Sequence, residues 1–204
     1  MIPKYYIVII LGAILIFNNI NVFGQNNKWK LKKNEDGIIV YTREDKVTGN
    51  IEFKASVELE TSIDALLRVF KNVDGYTKWM ADTKVSKTLK TISDTERYIY
   101  FEANVPWPLE NRDMPILEKT TITSKGAKIE LIGKPNYIPQ EKGITRINEA
   151  KGSWIFLPLP NNKVKVTYQF MADPGLNIPN WVINLFIVDG PYKTLTNLKS
   201  IVEL

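Results

Sequence analysis

Any acid–base chemistry in this sequence has to rest on carboxylates, lysines, arginines and tyrosines, because its 204 residues contain no histidine and no cysteine. That absence removes the commonest zinc sites, haem ligation through His or Cys, cysteine nucleophiles and every Ser-His-Asp arrangement. No glycine-rich phosphate loop or dinucleotide fingerprint occurs, so no cofactor or metal is expected. Glu118 shares strand parity with Met114, Ile116, Thr120 and Ile122. A carboxylate among such neighbours is costly unless it is paired or hydrogen-bonded. Turned inward, it would anchor a ligand hydroxyl or hold a buried cation; turned outward, it is a strand-edge acid in solvent. Glu102 shares a face with Tyr98, Tyr100 and Asn104, and Arg146 with Asn148 and Trp154. If both faces line one cavity, Arg146 is the natural counter-charge; otherwise the two make a surface pair worth about 0–1 kcal/mol. Arg112 and Asp113 follow a Trp-Pro turn and are expected to satisfy local backbone rather than touch a ligand.

These residues need strands to position them. From Ile51 to Leu59 apolar and polar residues alternate strictly, which predicts a strand with one wet face. A shorter strand is expected over Ile38–Arg43, with turn chemistry at Thr48-Gly49-Asn50. Thr61 or Ser62 can cap a helix carrying Ile63, Leu66, Leu67 and Phe70 at helical spacing, with Asp64 in its first turn. Tyr76, Trp79 and Met80 add one more helical turn. Further strands are predicted at 84–91, 97–105, 114–123, 127–133, 145–156 and 163–172, separated by turn signals. The spacings favour hairpins and a meander over parallel crossovers. The last segment, Ile178–Leu204, has a broad apolar helical face that includes Trp181, Val182, Leu185, Leu195 and Leu198. Pro191, after Gly190, falls inside it and is expected to kink the helix into two pieces.

The chain ends and the composition set the remaining bounds. Lys4 precedes an apolar run from Tyr5 to Phe17, and Val22-Phe23-Gly24 precedes Gln25, the pattern of a cleaved export signal over residues 1–24. The run is shorter than the ~20 residues of a spanning helix. Export to the periplasm or outside the cell is therefore expected, with residues 25–204 forming one domain. The net charge of +5 is modest and scattered among acids, which argues against nucleic-acid binding and allows weak, transient contact with an anionic membrane surface. A monomer is expected.

Strands, helix, successive antiparallel strands and a long C-terminal helix make an α+β order, that of a helix-grip fold in which a curved antiparallel sheet wraps around the final helix. Several strings carry a further likeness: Trp29-Lys30-Leu31, Glu35-Asp36-Gly37-Ile38, Val40-Tyr41-Thr42-Arg43, Pro106-Trp107-Pro108 with Asn111-Arg112-Asp113-Met114, Gly152-Ser153-Trp154, and Asp173-Pro174-Gly175 ahead of Ile178-Pro179-Asn180-Trp181. In that order the chain resembles the START family of lipid-transfer domains. The resemblance implies a sheltered cavity for one sterol, phospholipid or other apolar molecule. It also implies an inward acid and an inward basic residue, the basic one at the position occupied here by Glu118. Large apolar side chains at Trp79, Trp107, Trp154, Trp181, Tyr168 and Phe170 supply core, cavity wall or both. The expected ligand contacts are Trp79, Tyr98, Tyr100, Glu102, Glu118, Arg146, Trp154, Tyr168, Phe170, Trp181 and Leu185. Residues 155–159 form either an exposed apolar tip or a buried hairpin end. The rival readings are an enzyme acting on a polycyclic substrate through Glu102 or Glu118, and a partner-binding module whose cavity is plugged by its own side chains.

Overall fold

Alternation over Ile51–Glu60 translates directly into burial: Phe53, Ala55, Val57 and Leu59 are buried while the intervening residues reach solvent to varying degrees. A computed structural model describes residues 28–45, 48–173, 175 and 178–203. The proposed export signal at 1–24 lies outside them.

Strands β1 (Lys30–Glu35) and β2 (Ile38–Glu44) form a hairpin. Its turn residues Asp36 and Gly37 both take positive φ, the twist-matching geometry of a tight hairpin. After β3 (Ile51–Glu60), Ser62 caps α1 (Ile63–Lys71) by accepting from the Ala65 N–H at 3.1 Å. Leu66 and Phe70 are the buried residues of α1, and a 3₁₀ turn (Val73–Lys78) follows. The rest of the sheet comprises β4 (Thr83–Ser93), β5 (Glu96–Ala103), β6 (Asn111–Thr123), β7 (Gly126–Gly133), β8 (Ile144–Arg146), β9 (Ala150–Leu159) and β10 (Lys163–Ala172). The strand order is β1-β2-β3-β10-β9-β7-β6-β5-β4, antiparallel throughout, with β8 off the path.

The structure corrects two sequence expectations. The strand expected over 145–156 is broken, because β8 leaves the hairpin path and pairs in parallel with the start of β6. The connection over 134–143 supplies the crossover that a tight turn cannot, and Arg146 is thereby brought to Asp113. The kink expected at Pro191 is also relocated. The C-terminal segment runs as α2 (Asn180–Asn184), a π-helical turn (Leu185–Asp189) and α3 (Gly190–Val202). The Pro191 ring would strike the carbonyl four residues earlier in a regular helix. The wider turn absorbs this, with the Gly190 N–H reaching back to the Leu185 carbonyl, and Pro191 sits in the first turn of α3 where a missing N–H costs nothing.

Leu195 and Leu198 of α3 are fully buried against the sheet. Polar ties fix the same helix: Thr194 accepts from the Ala81 N–H at 3.0 Å, Asn197 donates to the Trp79 carbonyl at 3.0 Å, and Glu203 accepts from the Glu60 N–H at 2.9 Å. Neither α2 nor α3 has a side-chain cap at its N-terminus.

Candidate ligand cavity

Between the C-terminal helical segment and the concave sheet lies a cavity of about 330 Å³. One wall is built by cross-strand pairs of β5 and β6: Ile99 with Ile116, Phe101 with Met114, and Ala103 with Arg112. The opposite wall comes from Phe53 on β3, Trp154 on β9, and Tyr168 and Phe170 on β10. Tyr168 stacks on Trp154 at 3.8 Å between ring centroids, and Phe53 meets its edge at 4.9 Å. Gly152 makes room for this wall: a Cβ there would stand 2.4 Å from the Phe170 ring and 2.5 Å from the Gln169 carbonyl oxygen. Val182, Ile183, Phe186 and Ile187, from α2 and the π turn, and Pro191 of α3 close the cavity.

Glu118 is the acid in this apolar lining and is 3 % exposed. Arg97, directly opposite on β5, donates to its Oε1 from Nε at 2.8 Å and from Nη2 at 2.5 Å. The same guanidinium donates to the Phe70 carbonyl at 2.6 Å and the Lys71 carbonyl at 2.9 Å, satisfying the carbonyl end of α1. Tyr76 donates to the Phe70 carbonyl at 2.7 Å and has a longer 3.4 Å contact with Glu118 Oε2. Burial raises the Glu118 carboxyl above the ordinary glutamate range, against the lowering effect of Arg97. Burial likewise pushes the Tyr76 and Tyr168 hydroxyls up.

A model of the START domain matches residues 21–202. The chain belongs to the START domain family. It is 33 % identical over 176 residues to an uncharacterised protein of Pseudomonas aeruginosa, covering 86 % of this chain and 87 % of that one. It is 29 % identical over 168 residues to the phosphatidylcholine transfer protein of Rattus norvegicus, covering 79 % and 78 %. Among solved structures, the STAR-related lipid transfer protein from Xanthomonas axonopodis superposes with a TM-score of 0.76 at 35 % identity, covering 84 % of this chain and 97 % of that one. Human StAR-related lipid transfer protein 5 shares the fold, with a TM-score of 0.69 at 17 % identity over 85 % and 86 %. The curved antiparallel sheet and C-terminal helix are thus the helix-grip arrangement of START domains.

Within this START fold, four of the expected contacts, Glu118, Trp154, Tyr168 and Phe170, come together on the cavity. Trp79 is buried behind them, 5.2 Å from Phe70 and 6.0 Å from Trp154 by ring centroids. Trp181 is 59 % exposed, and Leu185, half-buried in the π turn, is not part of the lining. Tyr98, Tyr100 and Glu102 lie on the other face of β5; Tyr98 stacks on Tyr137 at 3.7 Å. Glu102 pairs with Lys84 at 2.9 Å and accepts from Asn111 at 2.7 Å. Arg146 is not the counter-charge of Glu102 or Glu118. It forks onto both oxygens of Asp113 at 2.7 and 2.9 Å and donates to the carbonyls of Pro135, Ile138 and Pro139. Asp113 therefore holds a side chain rather than the backbone of the Trp107 loop.

The sequence reading missed Arg97, Ile99 and Phe101; Arg112 does donate to local backbone as expected, at the Glu110 carbonyl, but also lines the cavity. In the β5–β6 register, even-numbered residues of β6 face odd-numbered residues of β5. Once Glu118 points inward, Arg97 must share its side of the sheet, and Tyr98, Tyr100 and Glu102 cannot. At the position where the resemblance implied a basic residue stands the acid Glu118, with a base, Arg97, across from it.

Proposed function

We propose that this chain binds one lipid or other apolar small molecule in the cavity beneath its C-terminal helix, passively, and hands it over at a membrane surface. The observation that carries this reading is the cavity itself: about 330 Å³, partly open to solvent and walled chiefly by apolar and aromatic side chains. Ligand clefts typically measure about 300–1,000 Å³ and use few polar groups. The names of the relatives, a phosphatidylcholine transfer protein and a STAR-related lipid transfer protein, support the same reading. Apolar ligand surface buried at about 25 cal/mol per Å² supplies the affinity. No acid–base step is invoked, since Glu118 is engaged by Arg97 and Glu102 lies outside the cavity.

Entry runs through α2 and the π turn, which cover the cavity and whose polar tie among the described residues is the long 4.0 Å pair of Asp189 with Lys33, against the side-chain hydrogen bonds that fix α3. Two exposed indoles stand close in sequence to lining residues: Trp107, 90 % exposed, two residues after Val105, and Trp181, 59 % exposed, next to Val182 in the cover. Indoles suit the boundary between headgroups and acyl chains, so this end is the one we assign to transient membrane contact. Export after removal of residues 1–24 and action as a monomer complete the proposal.

Delipidated protein incubated with extracted envelope lipids and weighed by native mass spectrometry should gain one unmodified lipid per chain. Ile99→Trp, which fills the cavity, should lose that uptake while remaining folded by circular dichroism. A wild-type protein that takes up nothing, or a filled variant that loads as well as wild type, overturns the reading.

A further inference from the structure

Three arginines are buried or nearly so on this face of the sheet and its reverse, and two of them grip a carboxylate: Arg97 holds Glu118 and Arg146 holds Asp113. Arg112 is the exception. It is 8 % exposed, lines the cavity, and has its Nε buried without a partner. Its Nη1 donates to the Glu110 carbonyl, while the Glu110 carboxylate is taken by the Thr145 hydroxyl at 2.7 Å. Among the described residues no carboxylate ion-pairs with Arg112. Burial lowers its proton affinity and Glu110 only partly offsets this, as expected for an undercompensated cation. Its backbone is paired between Ala103 of β5 and Thr145 of β8, and its Nη1 is tied to the Glu110 carbonyl, which limits the ordering a ligand must supply.

Asp82 lies on the same side of the cavity, its backbone carbonyl accepting from the Asn104 N–H at 2.7 Å next to Ala103. Its Oδ2 is also buried and unpartnered. This end therefore presents an unused donor and an unused acceptor. Along β6, Arg112 and Glu118 are six residues apart, roughly 20 Å of strand, with the inward Met114 and Ile116 between them.

We propose that Arg112 anchors the head of the ligand, and that the ligand is a single-chain amphiphile with an oxyanion head, a carboxylate or a phosphate. The inference rests on the lipid-binding reading above and adds polarity and class to it. A guanidinium fork matches either oxyanion, and a cavity near the lower end of the usual ligand range suits one chain. The tail runs from Arg112 past Met114 and Ile116 towards Glu118.

The test compares hexadecanoic acid, monohexadecyl phosphate, hexadecan-1-ol and inorganic phosphate on delipidated full-length protein by calorimetry. We expect the acid or the alkyl phosphate to bind about ten- to one-hundred-fold more tightly than the alcohol, the range of one charge-assisted hydrogen-bonded contact, and inorganic phosphate not to bind. Which of the two charged amphiphiles leads distinguishes a fatty-acid head from a phospholipid-type one. In Arg112→Gln the acid-to-alcohol affinity ratio should fall to near one. Independently of any variant, the Nε–Hε resonance of Arg112 should shift with the acid and not with the alcohol. Equal affinity for acid and alcohol in the wild type, an unchanged ratio in the variant, or an unmoved resonance overturns the head-group assignment while leaving lipid binding intact. Binding of none of the amphiphiles overturns lipid binding itself.

Discussion

Two buried arginine–carboxylate pairs stand on the same strand, five residues apart and therefore on opposite faces, and they differ in completeness. On the outer face, Asp113 is fully buried and both its oxygens accept from Arg146, whose remaining donors end on three loop carbonyls. On the cavity face, both hydrogen bonds from Arg97 to Glu118 end on Oε1, and Oε2 has only the 3.4 Å contact with Tyr76. The first pair is closed and holds the 134–143 connection against β6. The second is partly open, and burial raises its carboxyl. Even parity along β6 selects the cavity face and odd parity the outer face, so one strand carries a structural pair and a ligand-facing acid without either disturbing the other.

The largest effect should come from breaking the closed pair. Arg146→Met leaves Asp113 buried without its partner and should destabilise the fold by about 3–5 kcal/mol in urea denaturation, with the affinity ratio among amphiphiles unchanged in whatever fraction remains folded. Arg97→Met should cost less, about 1.5–3 kcal/mol, because its 16 % exposed side chain admits water to the gap. Unlike the first variant, it should alter ligand affinity, since it frees Glu118 towards the cavity. A pH series separates the pairs further. Because the folded Glu118 carboxyl titrates above its unfolded value, its contribution is fully present below the ordinary glutamate range and is lost as pH rises through the raised value. The stability of the wild type relative to Glu118→Gln should therefore fall over that rise, measured by urea midpoints at successive pH values. A flat difference would place Glu118 outside the low-dielectric lining. The smallest effect on stability, within about 0.5 kcal/mol, is expected for Trp107→Ala with Trp181→Ala. This double variant should nonetheless lose binding to anionic vesicles in a flotation assay while both ion pairs stay intact.

Much of the fold was legible before the structure. The alternation over 51–59, a cap at Thr61 or Ser62, the apolar face of the last segment and the strand-turn spacing outside 145–156 each reflect short-range physics, and each predicted its element. The legible part of the site was narrower. Trp154, Tyr168, Phe170 and Glu118 were reachable because size, or a carboxylate on an apolar stripe, marks a residue within its own strand. Tyr98, Tyr100 and Glu102 misled because parity within β5 says which residues share a face, not which way that face turns. The three-residue strand β8 and its parallel pairing were hidden because a short strand's partner lies 33 positions away, at Asp113, and no local pattern encodes it.

The sequence by itself determined that no histidine or cysteine chemistry is available, that an α+β chain ends in a long apolar helix, and which residues alternate. Only the tertiary structure decided which acid meets which base. Charges carry no address in the linear chain, and Coulombic pairing between strands depends on register, which is set by the closing of loops and the packing of a whole sheet around one helix. Arg97, Arg112 and Arg146 are chemically the same side chain, and their different surroundings, a gripped cavity acid, a place in the lining with no carboxylate beside it and a sealed structural pair, arise from that register.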